Sequence, residues 1–307
     1  MATSMGREAT ITTEPVAITG ASGFLGRHLV AAARAVGMPI RLVVRRPDAV
    51  ADLAGADTTV AKADLADDDA LRRAFEGCCA VVSNAALLSW KGAPWAQWEE
   101  ANVTGARRVA EAAVGAGISD FVHISSIAAV RPSLTGLNGA DTPSLGESDW
   151  AWSFAATDPR YCWSKAMGER AVRTAAQQAG MRLSVLRPGP IVGSGDGKYT
   201  ALLVRRAKQR LALTTGARVP HVHGRDVADA ALAAIVRRAQ GTWFTTGPSV
   251  SQGAALRALV SAGVGNCRVV EIPVPMTLRF DDGPAERDLG FRARSIEEAM
   301  AEVAAAR

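Results

Sequence analysis

Short apolar runs alternate with amphipathic stretches along the first two thirds of the chain. PVAIT (15–19) reads as a buried strand that passes through a glycine turn into a helical stretch, FLGRHLVAAARAVG (24–37). IRLVV (40–44) predicts a second strand and TVAKAD (59–64) a third, followed by a helix from about Asp68 to Phe75. AVVSNAA (80–86) predicts a fourth strand, residues 95–114 a helix, FVHISS (121–126) a fifth strand, residues 159–179 a long helix and RLSVLRP (182–188) a sixth strand. Apolar strands alternating with helices of this length predict a parallel sheet covered on both faces. Right-handed crossovers then make the expected fold α/β, a Rossmann-type doubly wound parallel sheet.

Beyond residue 188 the pattern loosens. Gly and Pro cluster at 188–197, 216–224 and 247–253, and IPVPM follows at 272–276, so the chain is expected to leave the sheet for a smaller C-terminal lobe. The amphipathic segment 225–239, RDVADAALAAIVRRA, is expected to return to the sheet.

The 307 residues, 48% hydrophobic and 21% charged, suit a soluble globular enzyme. No apolar run reaches the length of a membrane span, and MATSMGREATITTEP at the start has no apolar signal-peptide core. It reads as a polar leader, with the cytoplasm as the expected compartment. Cys78, Cys79, Cys162 and Cys267 form neither CxxC nor a zinc spacing, which predicts reduced thiols. The net charge of +5 would permit nucleic-acid binding if the basic residues clustered, but the arginine pairs are scattered and lack interleaved aromatics. The chain has only two tyrosines, Tyr161 and Tyr199, and five lysines.

Gly20, Gly23 and Gly26 in TGASGFLG follow a strand and open a helix. Glycines there permit a tight turn and close backbone approach, while the helix N-terminus offers unpaired N–H groups to a pyrophosphate. The expected dinucleotide-binding domain is therefore 14–187 with 221–247, and the substrate lobe 188–220 with 248–307. At the end of the second strand, where an acidic residue would bind a ribose 2′-OH, the chain reads VVRRP. Arg45 and Arg46 there suit a 2′-phosphate, hence NADP(H); the alternative is that both are solvated and Asp48 serves a 2′-OH. Tyr161 and Lys165 in YCWSK share one helix face, and a chance Tyr-x-x-x-Lys in this composition has an expectation of only about 0.03. An ammonium beside a phenol favours the phenolate, which would suit Tyr161 to acid/base work.

With these residues in view, the chain resembles an extended short-chain dehydrogenase/reductase of the epimerase/dehydratase superfamily, along nearly its whole length. TGASGFLG resembles that family's TGxxGxxG, Asp64-Leu65 its adenine-contacting pair, Asn84-Ala85-Ala86 the cofactor-lining segment after the fourth strand, and Asn102 its helix asparagine. HISS (123–126) is similar to the catalytic serine strand, LRPGPIVG (186–193) to the nicotinamide-side loop, and VHGRDVADA (222–230) to the return helix. The resemblance implies cofactor contacts from Gly20, Ser22, Gly23, Phe24, Leu25, Gly26, Arg45, Arg46, Asp64, Leu65, Asn84, Ala85, Ala86, Asn102, Tyr161, Lys165, Pro188, Gly189 and Ile191. It implies that Tyr161 is the general acid/base, that Lys165 binds the nicotinamide ribose and lowers the Tyr161 pKa, and that Ser126 polarises a carbonyl. Ser125, its neighbour, would point to the opposite face of the strand.

Two departures narrow the activity. Ile127-Ala128 stands where the sugar dehydratases of the superfamily carry Asp-Glu, so elimination lacks its acid and base. Arg45 is similar to the NADP-using dihydroflavonol, cinnamoyl and 3-beta-hydroxysteroid subgroup, which implies net reduction of a ketone or aldehyde. The alternatives are a nucleotide-sugar 4-ketoreductase or epimerase, and a non-catalytic NADP-sensing protein. Tryptophans 90, 95, 98, 150, 152 and 163 lie in segments that lead to the substrate cleft, which suits a medium-sized, largely apolar substrate, although helix packing accounts for part of them. His221 and His223 lack a third ligand, so no metal is expected. Cys162 is expected to be a packed thiol. The family resemblance further implies a homodimer built on helices 95–114 and 159–179.

Overall fold

The computed structural model describes residues 13–88, 92–146 and 158–307; residues 1–12 of the polar leader, together with Trp90, Trp150 and Trp152, lie outside them. In chain order the main elements are β1 (Val16–Thr19), α1 (Phe24–Ala35), β2 (Ile40–Val44), β3 (Thr58–Lys62), α2 (Asp68–Phe75) and β4 (Ala80–Ser83). There follow α3 (Trp95–Trp98), α4 (Gly105–Gly115), β5 (Asp120–Ile124), α5 (Pro159–Ala179), β6 (Arg182–Pro188), α6 (Tyr199–Ala207), α7 (Gly224–Val236) and β7 (Gly241–Thr245). The seven strands form one parallel sheet in the order β7-β6-β5-β4-β1-β2-β3. Ile18 sits opposite Leu42 on one side and Val82 on the other.

Every residue of β1 and β4 is buried, which is why these strands read as unbroken apolar runs. Alternate residues feed two cores. Ile18, Leu42, Val82, Val122 and Leu186 pack under α1 and α7, whereas Ala17, Val43, Val81, Phe121 and Val185 pack under α2, α4 and α5. The strand order reverses between β1 and β4. In such sheets the crevice for ligands lies at the carboxyl ends of the strands beside that point.

The smaller lobe has its own core, built by α6, α8 (Gln252–Ser261) and α10 (Ile296–Ala305) around Leu203, Leu256, Leu259 and Met300. Ala285, Leu289 and Phe291, in and after α9 (Gly283–Leu289), join the sheet's core instead, although the sequence pattern groups them with the lobe.

Two further differences matter for the site. The stretch 95–115 is broken by a π-helical turn, Glu99–Thr104, which inserts an extra residue and turns Asn102 inward, where it is buried. The fifth strand ends at Ile124, so Ser125 and Ser126 belong to the turn beyond it. The seventh strand, GTWFT, is short and pairs only with β6, leaving a weak pattern in the sequence.

Candidate active site

The first wall of the crevice is the turn between β1 and α1. Gly20 has φ of +67°, and a Cβ there would lie 2.8 Å from the Ala85 backbone; one on Gly26 would lie 2.2 Å from the Gly20 carbonyl oxygen. Only glycine lets the turn close against the segment leaving β4. That segment is tied down by Thr19, whose hydroxyl accepts the N–H groups of Asn84 (3.0 Å) and Ala85 (3.2 Å), while Asn84 Nδ2 donates to the Gly20 carbonyl at 3.3 Å. Exposed Gly23 caps α1 without any side-chain hydrogen bond. The helix N-terminus is thus left to an anionic ligand. Ser22 is exposed and Phe24 half-buried, edge-on to His28. Leu25 is buried in the sheet's core, so its side chain does not line the crevice and only its backbone faces the turn.

Arg45 and Arg46 follow β2 directly and are exposed. Arg45 Nε lies 4.0 Å from Asp64 Oδ2, and the Arg45 side chain is 72% exposed. Asp48 is carried into the first turn of the 3₁₀ segment Pro47–Leu53. Asp64 accepts the Ala66 N–H, and Leu65 packs against the second core. On the far side, Pro188 ends β6 and Gly189 follows it, both buried, and Ile191 pairs with Val222.

The second wall is α5. It starts cleanly because Asp158 accepts the Arg160 N–H and Pro159 occupies the first turn. Tyr161 is half-buried at its start, with buried Trp98 edge-on to its ring at 5.9 Å. The Trp98 indole N–H donates to the Ala93 carbonyl at 3.1 Å, which fixes that ring. Burial pushes the Tyr161 phenol up to about 12, against a hydrogen bond with the Ser126 hydroxyl that pulls it down. Ser126 also accepts the Ala128 N–H at 3.1 Å. Lys165, one turn further on, is buried, and its Nζ donates to the Ile124 carbonyl at 2.8 Å. Burial pushes its ammonium down to about 8, with the Glu169 carboxylate opposing. The expected lowering of the Tyr161 pKa by Lys165 is therefore not what this chain displays by itself: desolvation dominates the phenol, and the ammonium is held by a main-chain carbonyl.

The two serines separate cleanly. Ser125 donates to Glu169 Oε2 at 2.6 Å, whereas Ser126 faces Tyr161. Asn102 is held by three hydrogen bonds. Its Oδ1 accepts the Leu87 N–H (2.6 Å) and its Nδ2 donates to the Leu87 carbonyl (3.1 Å) and to Ser164 Oγ (2.9 Å). That side chain ties the segment leaving β4 to α5. His221 bonds the Val219 carbonyl and the Tyr199 hydroxyl, and His223 bonds Glu302. Among the described residues no group of three metal-ligating side chains occurs.

Ser126, Tyr161 and Lys165 meet at the carboxyl end of β5, where Ser126 bonds Tyr161 and Lys165 bonds the Ile124 carbonyl, while the glycine turn lies at the carboxyl end of β1. The α1 N-terminus without a side-chain cap, the tight glycine turn before it and exposed Arg45 fit a nicotinamide dinucleotide. Thr19, Glu169 and Arg187 are additions that sequence reasoning missed; only Glu169 left a signal, its spacing of four from Lys165.

A sheet in this order, with a glycine turn at its first crossover and a Tyr-x-x-x-Lys helix against its fifth strand, defines an extended short-chain dehydrogenase/reductase. The chain belongs to the NAD dependent epimerase/dehydratase family, whose sequence pattern matches residues 16–244. It is 34% identical over 215 residues to a ceramide reductase of Caulobacter vibrioides, a match covering 69% of this chain and 58% of that protein. It is 30% identical over 260 residues to cinnamoyl-CoA reductase 1 of Oryza sativa subsp. japonica, covering 80% of this chain and 74% of that protein. Several other curated relatives are matched over only about half their length, 52% for a sterol demethylase protein B of Methylococcus capsulatus. Yeast methylglyoxal/isovaleraldehyde reductase Gre2, complexed with NADPH, has the same fold with a TM-score of 0.80 over 95% of this chain and 97% of that one, at 17% identity. No helix among the described residues is long and apolar enough to cross a membrane.

Proposed function

We propose that the protein is an NADPH-dependent reductase, reversible as an alcohol dehydrogenase, that acts on the ketone or aldehyde of a medium-sized, largely apolar substrate. The observation that carries this reading is the hydrogen-bonded Ser126–Tyr161 pair at the end of β5, one turn from a buried ammonium. When bound, the nicotinamide supplies the hydride to the carbonyl carbon. Tyr161, protonated at neutral pH because burial raises its pKa, gives its Oη proton to the carbonyl oxygen. Ser126 Oγ donates a second hydrogen bond to that oxygen and orients it. Lys165, a buried cation on the same helix face, favours the phenolate left behind. The glycine turn and the α1 N-terminus hold the pyrophosphate, and Arg45 with Arg46 meets the 2′-phosphate.

The substrate class is supported by the reductases among the relatives, whose names specify ceramide and cinnamoyl-CoA. Ile127 and Ala128 supply neither acid nor base for a dehydration. The test is a screen that follows NADPH consumption with long-chain ketones, aryl aldehydes, steroid ketones and 4-keto nucleotide sugars. Turnover confined to the nucleotide sugars, or interconversion of sugars with tightly retained NAD and no net NADPH use, overturns the reading in favour of a sugar-nucleotide enzyme.

A further inference from the structure

The face of α5 that carries Tyr161 and Lys165 continues for two more turns with Glu169 and Arg173. Glu169 is 1% exposed, and everything around its carboxylate is polar. Oε2 accepts the Ser125 hydroxyl at 2.6 Å and Arg187 Nε at 3.1 Å. Oε1 accepts Arg187 Nη2 at 2.7 Å and Arg173 at 2.8 and 3.0 Å. Arg187 is itself buried, stacked over Phe244 at 5.6 Å, and reaches Ser144. From β5, His123 points to the same side, buried with both ring nitrogens unpartnered, where it feels Lys165, Glu169 and Arg173. Burial holds it neutral, down at about 3, so the charges facing Glu169 are Lys165 and Arg173 from its own helix and Arg187 from β6.

Two of the three groups bonded to this carboxylate adjoin members of the site, and Glu169 itself follows Lys165 on α5. Ser125 precedes Ser126, Arg187 precedes Pro188 and Gly189, and Lys165 lies one helical turn away. Resting on the reading of Ser126, Tyr161 and Lys165 given above, we propose that Glu169 is the positioning residue of this site, a buried carboxylate that locks the serine turn and the β6 exit to α5. A buried ion pair is weak support for fold stability by itself, because its desolvation cost rivals its attraction. Three segments converging on one carboxylate is an arrangement that stability alone does not require. Without the carboxylate, Lys165 would lose the charge that opposes its burial and would lose its proton at lower pH.

The test uses the full chain with three variants, Glu169→Gln, Glu169→Asp and Glu169→Gln/Arg187→Met, and Tyr161→Phe as control. NADPH binding is followed by its fluorescence from pH 6 to about 10, and turnover with an aryl aldehyde as the carbonyl probe. In the native chain affinity should fall as pH rises through about 8, where Lys165 loses its proton. Glu169→Gln should move that fall roughly one pH unit lower and reduce kcat about ten- to a hundredfold, as expected for misplaced groups. Glu169→Asp keeps the charge and should leave the pH of the fall in place. If Glu169→Gln does not fold, the paired variant, which leaves no lone Arg187 cation, should fold and still lose tenfold or more in kcat. A folded Glu169→Gln, or a folded paired variant, with native kcat and an unmoved pH limb overturns the proposal. Loss of turnover in Tyr161→Phe beside that result leaves the catalytic reading standing. Native turnover in Tyr161→Phe overturns that reading instead, while the pH dependence of NADPH binding still decides the role of Glu169.

Discussion

Replacing Arg45 with alanine tests the cofactor assignment with little risk to the fold. The side chain is 72% exposed, and its contact with Asp64, at 4.0 Å between groups that are both largely solvated, is worth about 0–1 kcal/mol at most. Little is therefore sacrificed when the guanidinium turns towards a ligand. A charge-assisted hydrogen bond to a phosphate contributes about 1.5–3 kcal/mol, so losing it should raise the Kd for NADPH by about ten- to a hundredfold. NADH has no 2′-phosphate, and its Kd should change less than about twofold. The melting temperature should not move, because no buried contact is removed. The assay is a fluorescence titration of both nucleotides against the native protein, Arg45→Ala and Arg46→Ala, repeated at high salt, where the NADPH advantage should shrink. Equal losses for the two nucleotides, or a native preference for NADH, would refute the reasoning and return the 2′ position to Asp48.

Tyr161→Phe should keep the fold and NADPH affinity while kcat drops by roughly 10²–10⁴, measured at saturating cofactor. Ser126→Ala should slow turnover with native stability, whereas Ser125→Ala should lower the melting temperature more than kcat, since it strips a hydrogen bond from buried Glu169; the reverse ordering would exchange the roles of the two serines. Gly26→Ala forces a Cβ to within 2.2 Å of the Gly20 oxygen, so dinucleotide binding and thermal stability should be lost together, as calorimetry with and without NADPH would register. His123 titrates at about 3 in the folded chain against an ordinary value near 6.5, and His28 and His221 at about 4, so the unfolded chain binds the extra protons and stability falls as pH drops from 6.5 towards those values. His123→Leu should flatten that decline and, by removing two unpartnered nitrogens, add about 1–3 kcal/mol at pH 7; parallel melting curves for the two proteins between pH 4.5 and about 7 would count against the burial argument.

The parts of the fold legible in the sequence are those with a strong period. β1 and β4 are buried on both faces and announce themselves as apolar runs, and α5 carries both its cap and its proline. The glycine turn was legible because each glycine answers a steric demand visible in the spacing alone. β7 was not, since five residues on one edge contact leave no repeat to detect, and the π turn was not, since one inserted residue hardly alters an alanine-rich pattern. The same limit applies to the site. Tyr161 and Lys165 stand four apart on one helix, but Asn102 bonds Leu87 and Ser164, and Glu169 meets Ser125 and Arg187, through contacts that only the folded chain creates. The pKa of Tyr161 is a case where neighbours in sequence mislead, because desolvation is a property of the assembled crevice.

The position of β6 in the sheet has a consequence for biosynthesis. Its inner neighbour, β5, and the helix that carries Glu169 precede it in the chain, but its outer neighbour, β7, lies more than fifty residues later, after α6 and α7. Until residues 241–245 leave the ribosome, RLSVLRP is an edge strand, open to pairing with another chain. Phe244, the ring beneath Arg187, arrives on that last strand as well. A nascent chain thus carries both tyrosines, the glycine turn and the serine pair well before the guanidinium that pairs with Glu169 gains its aromatic cover, and the interval between the two is the period in which a chaperone holding that edge would matter most.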